Sequence, residues 1–151
     1  MNRINTILLL LLVVLSFTTS AQSNWEVGLR LGNNVSIDAT IPLAAAPRLH
    51  PAIYFDRSGV ATYFDWLFAF SDGPAGLKIY PGVGPEIFFG NQTDFQIAGD
   101  FGMEYSFDFP LTIGFDWRPA VRLTNDTGFK SGNWGFIGRF RIGQGKLKRV
   151  N

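Results

Sequence analysis

The sequence predicts an all-β fold, an eight-stranded antiparallel up-and-down transmembrane β-barrel, on three observations. Apolar and polar residues alternate with a period of two along nearly all of the chain after residue 24, as on the two faces of a strand. The alternating runs number eight, an even count, and short turn-like segments join them. The runs are also long: those on either side of 108–110 have about twelve residues, against about five or six in globular strands and about nine to eleven in tilted strands that cross a bilayer.

Taken in order, the first strand sets Trp25, Val27, Leu29 and Leu31 against Glu26, Gly28, Arg30 and Gly32. After the Asn33-Asn34 turn, the second sets Val35, Ile37, Ala39 and Ile41 against Ser36, Asp38 and Thr40. Pro42 to Pro47 reads as a turn. The third strand places Leu49, Pro51, Ile53 and Phe55 opposite Arg48, His50, Ala52, Tyr54 and Asp56, and Arg57-Ser58-Gly59 closes a tight hairpin. In the fourth, Val60, Thr62, Phe64, Trp66, Phe68 and Phe70 oppose Ala61, Tyr63, Asp65, Leu67 and Ala69 before the turn Ser71-Asp72-Gly73-Pro74.

The fifth strand, Leu77 to Phe89, turns Lys78, Tyr80 and Glu86 away from Leu77, Ile79, Val83, Ile87 and Phe89. Its centre, Pro81-Gly82-Val83-Gly84-Pro85, predicts a bend or bulge, because proline removes a ladder donor and glycine pairs mark such sites. The sixth alternates Phe95, Ile97, Gly99, Phe101, Met103, Tyr105 and Phe107 with Gln96, Ala98, Asp100, Gly102, Glu104 and Ser106. Past Asp108-Phe109-Pro110, the seventh sets Leu111, Ile113, Phe115, Trp117, Pro119 and Val121 against Thr112, Gly114, Asp116, Arg118, Ala120 and Arg122. Leu123 to Gly132 reads as a loop, and the eighth strand opposes Trp134, Phe136, Phe140 and Ile142 to Gly135, Ile137, Arg139 and Arg141. Closure is expected because an open sheet would leave two long apolar edges unpaired.

Side-chain volume decides which face is inside. An eight-stranded barrel is just wide enough for side chains to fill it, whereas the apolar rows carry the tryptophans and most of the 15 phenylalanines. These rows therefore point outward to lipid, with Trp25, Phe64, Trp66, Phe68, Phe101, Phe115, Trp117, Phe136 and Phe140 as the lipid-facing set. The opposite row is rich in Gly and Ala and carries charges of both signs. Glu26, Asp65, Glu86, Asp100, Glu104 and Asp116 face Arg30, Lys78, Arg118, Arg122, Arg139 and Arg141, joined by Asp38, Asp56 and Arg48. Buried charges persist only when paired, so this row predicts a salt-bridge network that plugs the lumen.

Composition narrows the functional classes. A net charge of +1 dispersed along the chain does not suggest nucleic acid. Beyond the first twenty residues no apolar run is long enough for a membrane helix, so membrane association must come from strands. The absence of Cys removes disulfides, thiol catalysis and thiolate metal sites. Residues 1–21, with Arg3, the apolar run Ile7 to Leu15 and Thr19-Ser20-Ala21, have the form of a cleaved signal peptide. That leaves 22–143 as the barrel and 144–151, with Lys146, Lys148 and Arg149, as a basic tail. The single histidine, His50, reads as a lumen residue near the inner end and not as a catalytic base. No metal-ligand spacing or nucleophile motif occurs, so neither enzyme activity nor a cofactor is expected.

The Gly28-Leu29-Arg30-Leu31-Gly32 segment, Gly82-Val83-Gly84, and above all Pro110-Leu111-Thr112-Ile113-Gly114-Phe115-Asp116-Trp117-Arg118-Pro119-Ala120 carry a resemblance. The chain resembles the small eight-stranded outer-membrane β-barrel proteins of the Bacteroidota, relatives in shape of the OmpX and OmpA membrane domains and of porin-family barrels. The resemblance implies location in a Gram-negative outer membrane. It also implies a monomer whose partners are outer-membrane lipid and the barrel-insertion machinery, in a structural or surface-interaction role. Two other readings of the same pattern are a soluble periplasmic lipocalin-like binder with apolar residues inside, and a narrow pore.

Overall fold

A computed structural model describes residues 25–70, 73–124 and 127–142; the expected signal peptide and basic tail lie outside them. The strands are β1 (Trp25–Gly32), β2 (Ser36–Pro42), β3 (Pro47–Tyr54), β4 (Gly59–Trp66, continued by Phe68–Ala69), β5 (Leu77–Phe88), β6 (Asp94–Ser106), β7 (Leu111–Trp117, continued by Ala120–Arg122) and β8 (Trp134–Ile142, preceded by Gly128–Lys130). No helix occurs among the described residues. Each strand pairs antiparallel with its neighbours in the chain, and β1 pairs with β8 from Trp25↔Ile142 to Gly32↔Gly135, so the sheet closes into an eight-stranded up-and-down barrel.

Following cross-strand partners once around from Gly28, through Asp38, Ala52, Ala61, Glu86, Gln96 and Arg122, arrives at Gly128, whereas Gly28 itself pairs with Arg139. The two positions are eleven residues apart, one of which is the single-residue slip before β8, and this stagger is the shear that tilts the strands of a closed barrel against its axis.

The expected interruption at Pro81–Pro85 is absent. β5 is one continuous strand paired with β6 from Leu77↔Tyr105 to Phe88↔Asp94. The missing proline donors fall on the other side: β5 pairs with β4 at Ala61↔Glu86 and Phe64↔Val83, which flank Pro85, and at Asp65↔Gly82 and Phe68↔Ile79, which flank Pro81. One complete ladder holds the strand straight while the other skips a rung at each proline.

Two strands expected to be unbroken are interrupted. β4 is interrupted at Leu67, whose N–H donates to the Ala46 carbonyl at 3.0 Å. β7 is interrupted at Arg118 and Pro119; the Pro119 carbonyl accepts from Gly99 N–H at 2.8 Å, and Arg118 N–H donates to Asn133 at 2.8 Å. The loop expected over 123–132 is shorter than the sequence suggested, because Gly128–Lys130 pairs with Ala120–Arg122 and slips register by a single residue before β8.

The two faces are disposed as the alternation predicts. Phe136 and Phe140 are 69% and 62% exposed on the outside, with Trp25, Phe64, Trp66, Phe68 and Phe101 also exposed; Arg30, Asp38, His50, Asp65, Asp100 and Arg118 have no exposure at all. Phe115 and Trp117 lie on the outer face as well, half-buried against each other's neighbour Trp134 in stacked pairs 5.4 and 5.3 Å between ring centres.

At the closing seam, β1 and β8 approach so closely that a Cβ on Gly28 would lie 1.9 Å from the Gly138 carbonyl oxygen, a backbone atom. Gly28→Val should therefore lower folding stability by roughly 1–3 kcal/mol, as overpacking does, in urea unfolding followed by tryptophan fluorescence. An unchanged midpoint would show that the seam is not closed in this register.

Candidate functional site

The lumen is built from the inward row of every strand, and small residues lie where large neighbours need space. A Cβ on Gly102 would come within 2.3 Å of the Tyr80 ring, and one on Gly135 within 2.5 Å of the Arg30 guanidinium. Their absence lets Arg30, Arg118, Arg139, Tyr54, Tyr63, Tyr80 and His50 sit in the interior with essentially no solvent exposure.

At the end that holds the turns before β3 and β7, Arg139 bridges Glu26 at 3.2 Å and Glu104 at 2.5 Å. Arg48 bridges Glu104 at 2.9 Å and Asp65 at 3.0 Å, and the Thr112 hydroxyl donates to Glu26 at 2.8 Å. Arg141 lies 3.9 Å from Glu26 and donates to the carbonyls of Phe107 and Phe109, tying β8 to the turn before β7.

Mid-lumen, the Arg118 guanidinium lies 2.6 Å from Asp38, 2.9 Å from Asp116 and 3.2 Å from Asp100, and Arg30 pairs with Asp116 at 2.7 Å. His50 sits among the same acids: Nδ1 is 2.7 Å from Asp100 and 3.0 Å from Asp65, and Nε2 is 2.9 Å from Asp38. An imidazolium offers a donor at each nitrogen and so matches carboxylates on both sides. Toward the other end the chemistry changes to hydroxyls. Tyr54 and Tyr63 lie 2.7 Å apart, both hydrogen-bond Glu86, and Arg118 donates to Tyr54 at 3.0 Å.

Of the residues expected in the network, Glu26, Arg30, Asp65, Asp100, Glu104, Asp116, Arg118 and Arg139 come together as buried ion pairs, with Arg141 at their margin. Arg122 stands apart at the rim, 3.4 Å from Asp94. Lys78 is half-buried opposite its cross-strand partner Glu104, Glu86 is held by tyrosines, and Asp56 is exposed in the turn after β3. His50 is at the centre of the network and not near the inner end, because its ring spans from Asp38 to Asp65 and Asp100. Tyr54, Tyr63 and Tyr80, which stand on the polar row without a role in the expected network, fill the lumen. Their signal was parity: each lies on the polar row, where a tyrosine can bury its ring and still place its hydroxyl.

Among the described residues, seven buried acids (Glu26, Asp38, Asp65, Glu86, Asp100, Glu104, Asp116) face four buried arginines and His50. Arg141 and half-buried Lys78 add positive charge at the turn-bearing end, and Glu86 takes its hydrogen bonds from Tyr54 and Tyr63. His50, Asp65 and Asp100 could offer a metal three ligand atoms within 4.8 Å of one another. Arg48 and Arg118 already occupy those two aspartates at 3.0 and 3.2 Å, so an added cation would meet two guanidiniums, and the cluster fits an ion-pair network better than a metal centre. The Ser36 hydroxyl donates to Asp38 at 2.5 Å.

No family model, curated protein or solved structure matches the chain.

Arg118→Met would leave Asp38, Asp100 and Asp116 short of one shared cation and should cost roughly 3–5 kcal/mol. Arg122→Met, at the half-exposed rim, should cost about 1 kcal/mol or less. Equal losses for the two in urea titrations would remove Arg118 from the centre of the network.

Proposed function

We propose that this chain is an integral outer-membrane β-barrel with a plugged, salt-bridged lumen and a structural or surface-interaction role, and that it carries out no catalysis. In this reading it stands with the small eight-stranded outer-membrane barrels of the Bacteroidota that its sequence resembles. It would be a monomer surrounded by outer-membrane lipid after delivery by the barrel-insertion machinery.

The observation that carries the reading is the reversed polarity of the barrel: charges inside, large apolar side chains outside. Leu29, Leu31, Ile53, Val83, Phe101, Met103 and Phe136 are each 45% exposed or more. Burying such a side chain is worth roughly 1.5–3 kcal/mol, which a barrel in water would forgo at every one of these positions and a barrel in hydrocarbon would not. Exposed rings also gather at both ends of the wall: Trp25, Trp66, Phe68 and Phe109 at one, Phe55, Phe89, Phe129 and Trp134 at the other. Two such girdles are characteristic of transmembrane barrels. A lipocalin-like binder would need an apolar interior, and here the lumen is lined by guanidiniums and carboxylates. A pore would need a wet path, and the packing of Arg30, Arg118, Arg139 and the tyrosines supports a closed one.

Expressed in a Gram-negative cell, the protein should sediment with the outer membrane after osmotic shock, require detergent for extraction, and migrate differently on gels before and after boiling. With the termini on the periplasmic side, Ser131→Cys should react with an impermeant thiol reagent on intact cells and Ala45→Cys only once the outer membrane is broken. Release of the folded protein by osmotic shock would sink the proposal.

A further inference from the structure

At the end of the barrel opposite the turns before β3 and β7, a cavity of about 180 Å³ opens between the β3–β4 hairpin and the extension of β7 and β8, lined in part by Arg57, Glu86, Phe88, Gln96, Arg118 and Lys130. Gln96 is 1% exposed, and its amide nitrogen has no hydrogen-bond partner. The cross-strand neighbour of Gln96 is Arg122, whose buried Nε also makes no hydrogen bond and lies 3.4 Å from Asp94 in a loose ion pair. Arg57 lies 3.7 Å from the same Asp94, with its guanidinium 4.3 Å from the centre of the Phe88 ring. Lys130 forms no ion pair among the described residues; burial first, and then Arg57 and Arg122, push its amine below the usual lysine range. On the floor, Glu86 is engaged by Tyr54 and Tyr63, and Arg118 by three aspartates.

We propose that this mouth cavity binds a phosphate group, either free in solution or borne by a lipid. Arg57 and Arg122 share Asp94 at the rim while Lys130 lines the same cavity, and Glu86 on the floor is already taken up by two tyrosines, which leaves a local positive excess suited to a dianion. A phosphate's several acceptor oxygens can also satisfy an amide, an ammonium and guanidinium forks together. An apolar or cationic guest would leave the buried Gln96 donor orphaned, at the cost such groups carry. The inference rests on the rim of the barrel and not on the membrane reading, so each can fail alone.

The test titrates the full-length folded protein with inorganic phosphate, using sodium chloride at matched ionic strength as control, and follows the phosphorus-31 resonance. Mixed micelles containing phosphatidate form a parallel arm. Saturable binding of inorganic phosphate supports the free source, and saturation by phosphatidate alone supports the lipid-borne one. In either case Lys130→Gln and Gln96→Met should each weaken binding about tenfold, the loss expected for one charge-assisted or buried hydrogen bond. Lys130 is only part-buried and its variant should fold, so it keeps the test decisive if Gln96→Met does not. Absence of saturable binding in both arms, or binding undiminished by Lys130→Gln, would overturn the proposal.

Discussion

A guanidinium taken out of water costs several kcal/mol unless carboxylates and other acceptors surround it in good geometry. Arg118 meets that condition by donating to Asp38, Asp100 and the Tyr54 hydroxyl with Asp116 in ion-pair contact, partners drawn from β2, β6, β3 and β7 itself. The other lumen charges are arranged around the same requirement. Arg30 shares Asp116 with it, His50 shares Asp38 and Asp100, and Arg48 extends the chain from Asp65 to Glu104, where Arg139 takes over. Every strand but β5 supplies one partner of a buried ion pair whose other partner lies on a different strand, and β5 contributes Glu86 to the tyrosine hydroxyls. The interior therefore specifies which strands close the barrel, through ion pairs where a soluble domain would use apolar packing.

That arrangement fixes the outside as well. Once the lumen is filled by arginine, tyrosine and histidine, the period of two sends the remaining bulky residues outward with no core to enter. Prolines find room on this wall: Pro81 and Pro85 leave the β5–β6 ladder intact and interrupt only the β4–β5 ladder, while Pro119 marks the point where β7 pauses to exchange partners with β8. Glycine has the complementary part on the inner wall, where Gly102 and Gly135 give their space to Tyr80 and Arg30.

Much of this was legible in the sequence because a period of two is hard to mimic. The eight strands, the inward charges and the outward aromatics all follow from parity, and the structure keeps them except where β4 and β7 are interrupted and where Arg122 and Lys78 reach the margins of the lumen. What parity cannot carry is position along the axis, because shear moves neighbouring strands past one another. The position of His50 early in β3 suggests an inner-end place, yet the stagger brings it level with Asp38, Asp65 and Asp100. Local propensity misled at Pro81–Pro85, where a complete ladder with β6 outweighs two missing donors. It misled again at Gly128–Lys130, which has the composition of a loop but pairs with Ala120–Arg122. The mouth cavity, formed by residues from several strands and the hairpin between β3 and β4, had no contiguous signal in the sequence.

The central claim is that the charged face is enclosed and the apolar face meets hydrocarbon. Isoleucine methyls test it in the unmodified protein, because Ile97 and Ile113 point outward while Ile137, on the inner row of β8, is 4% exposed. In nuclear Overhauser spectra of the folded protein in detergent micelles, the methyls of Ile97 and Ile113 should show cross-peaks to the acyl chains and Ile137 should show none. Acyl cross-peaks to Ile137 in place of Ile97 and Ile113, or water cross-peaks to all three alike, would contradict the account.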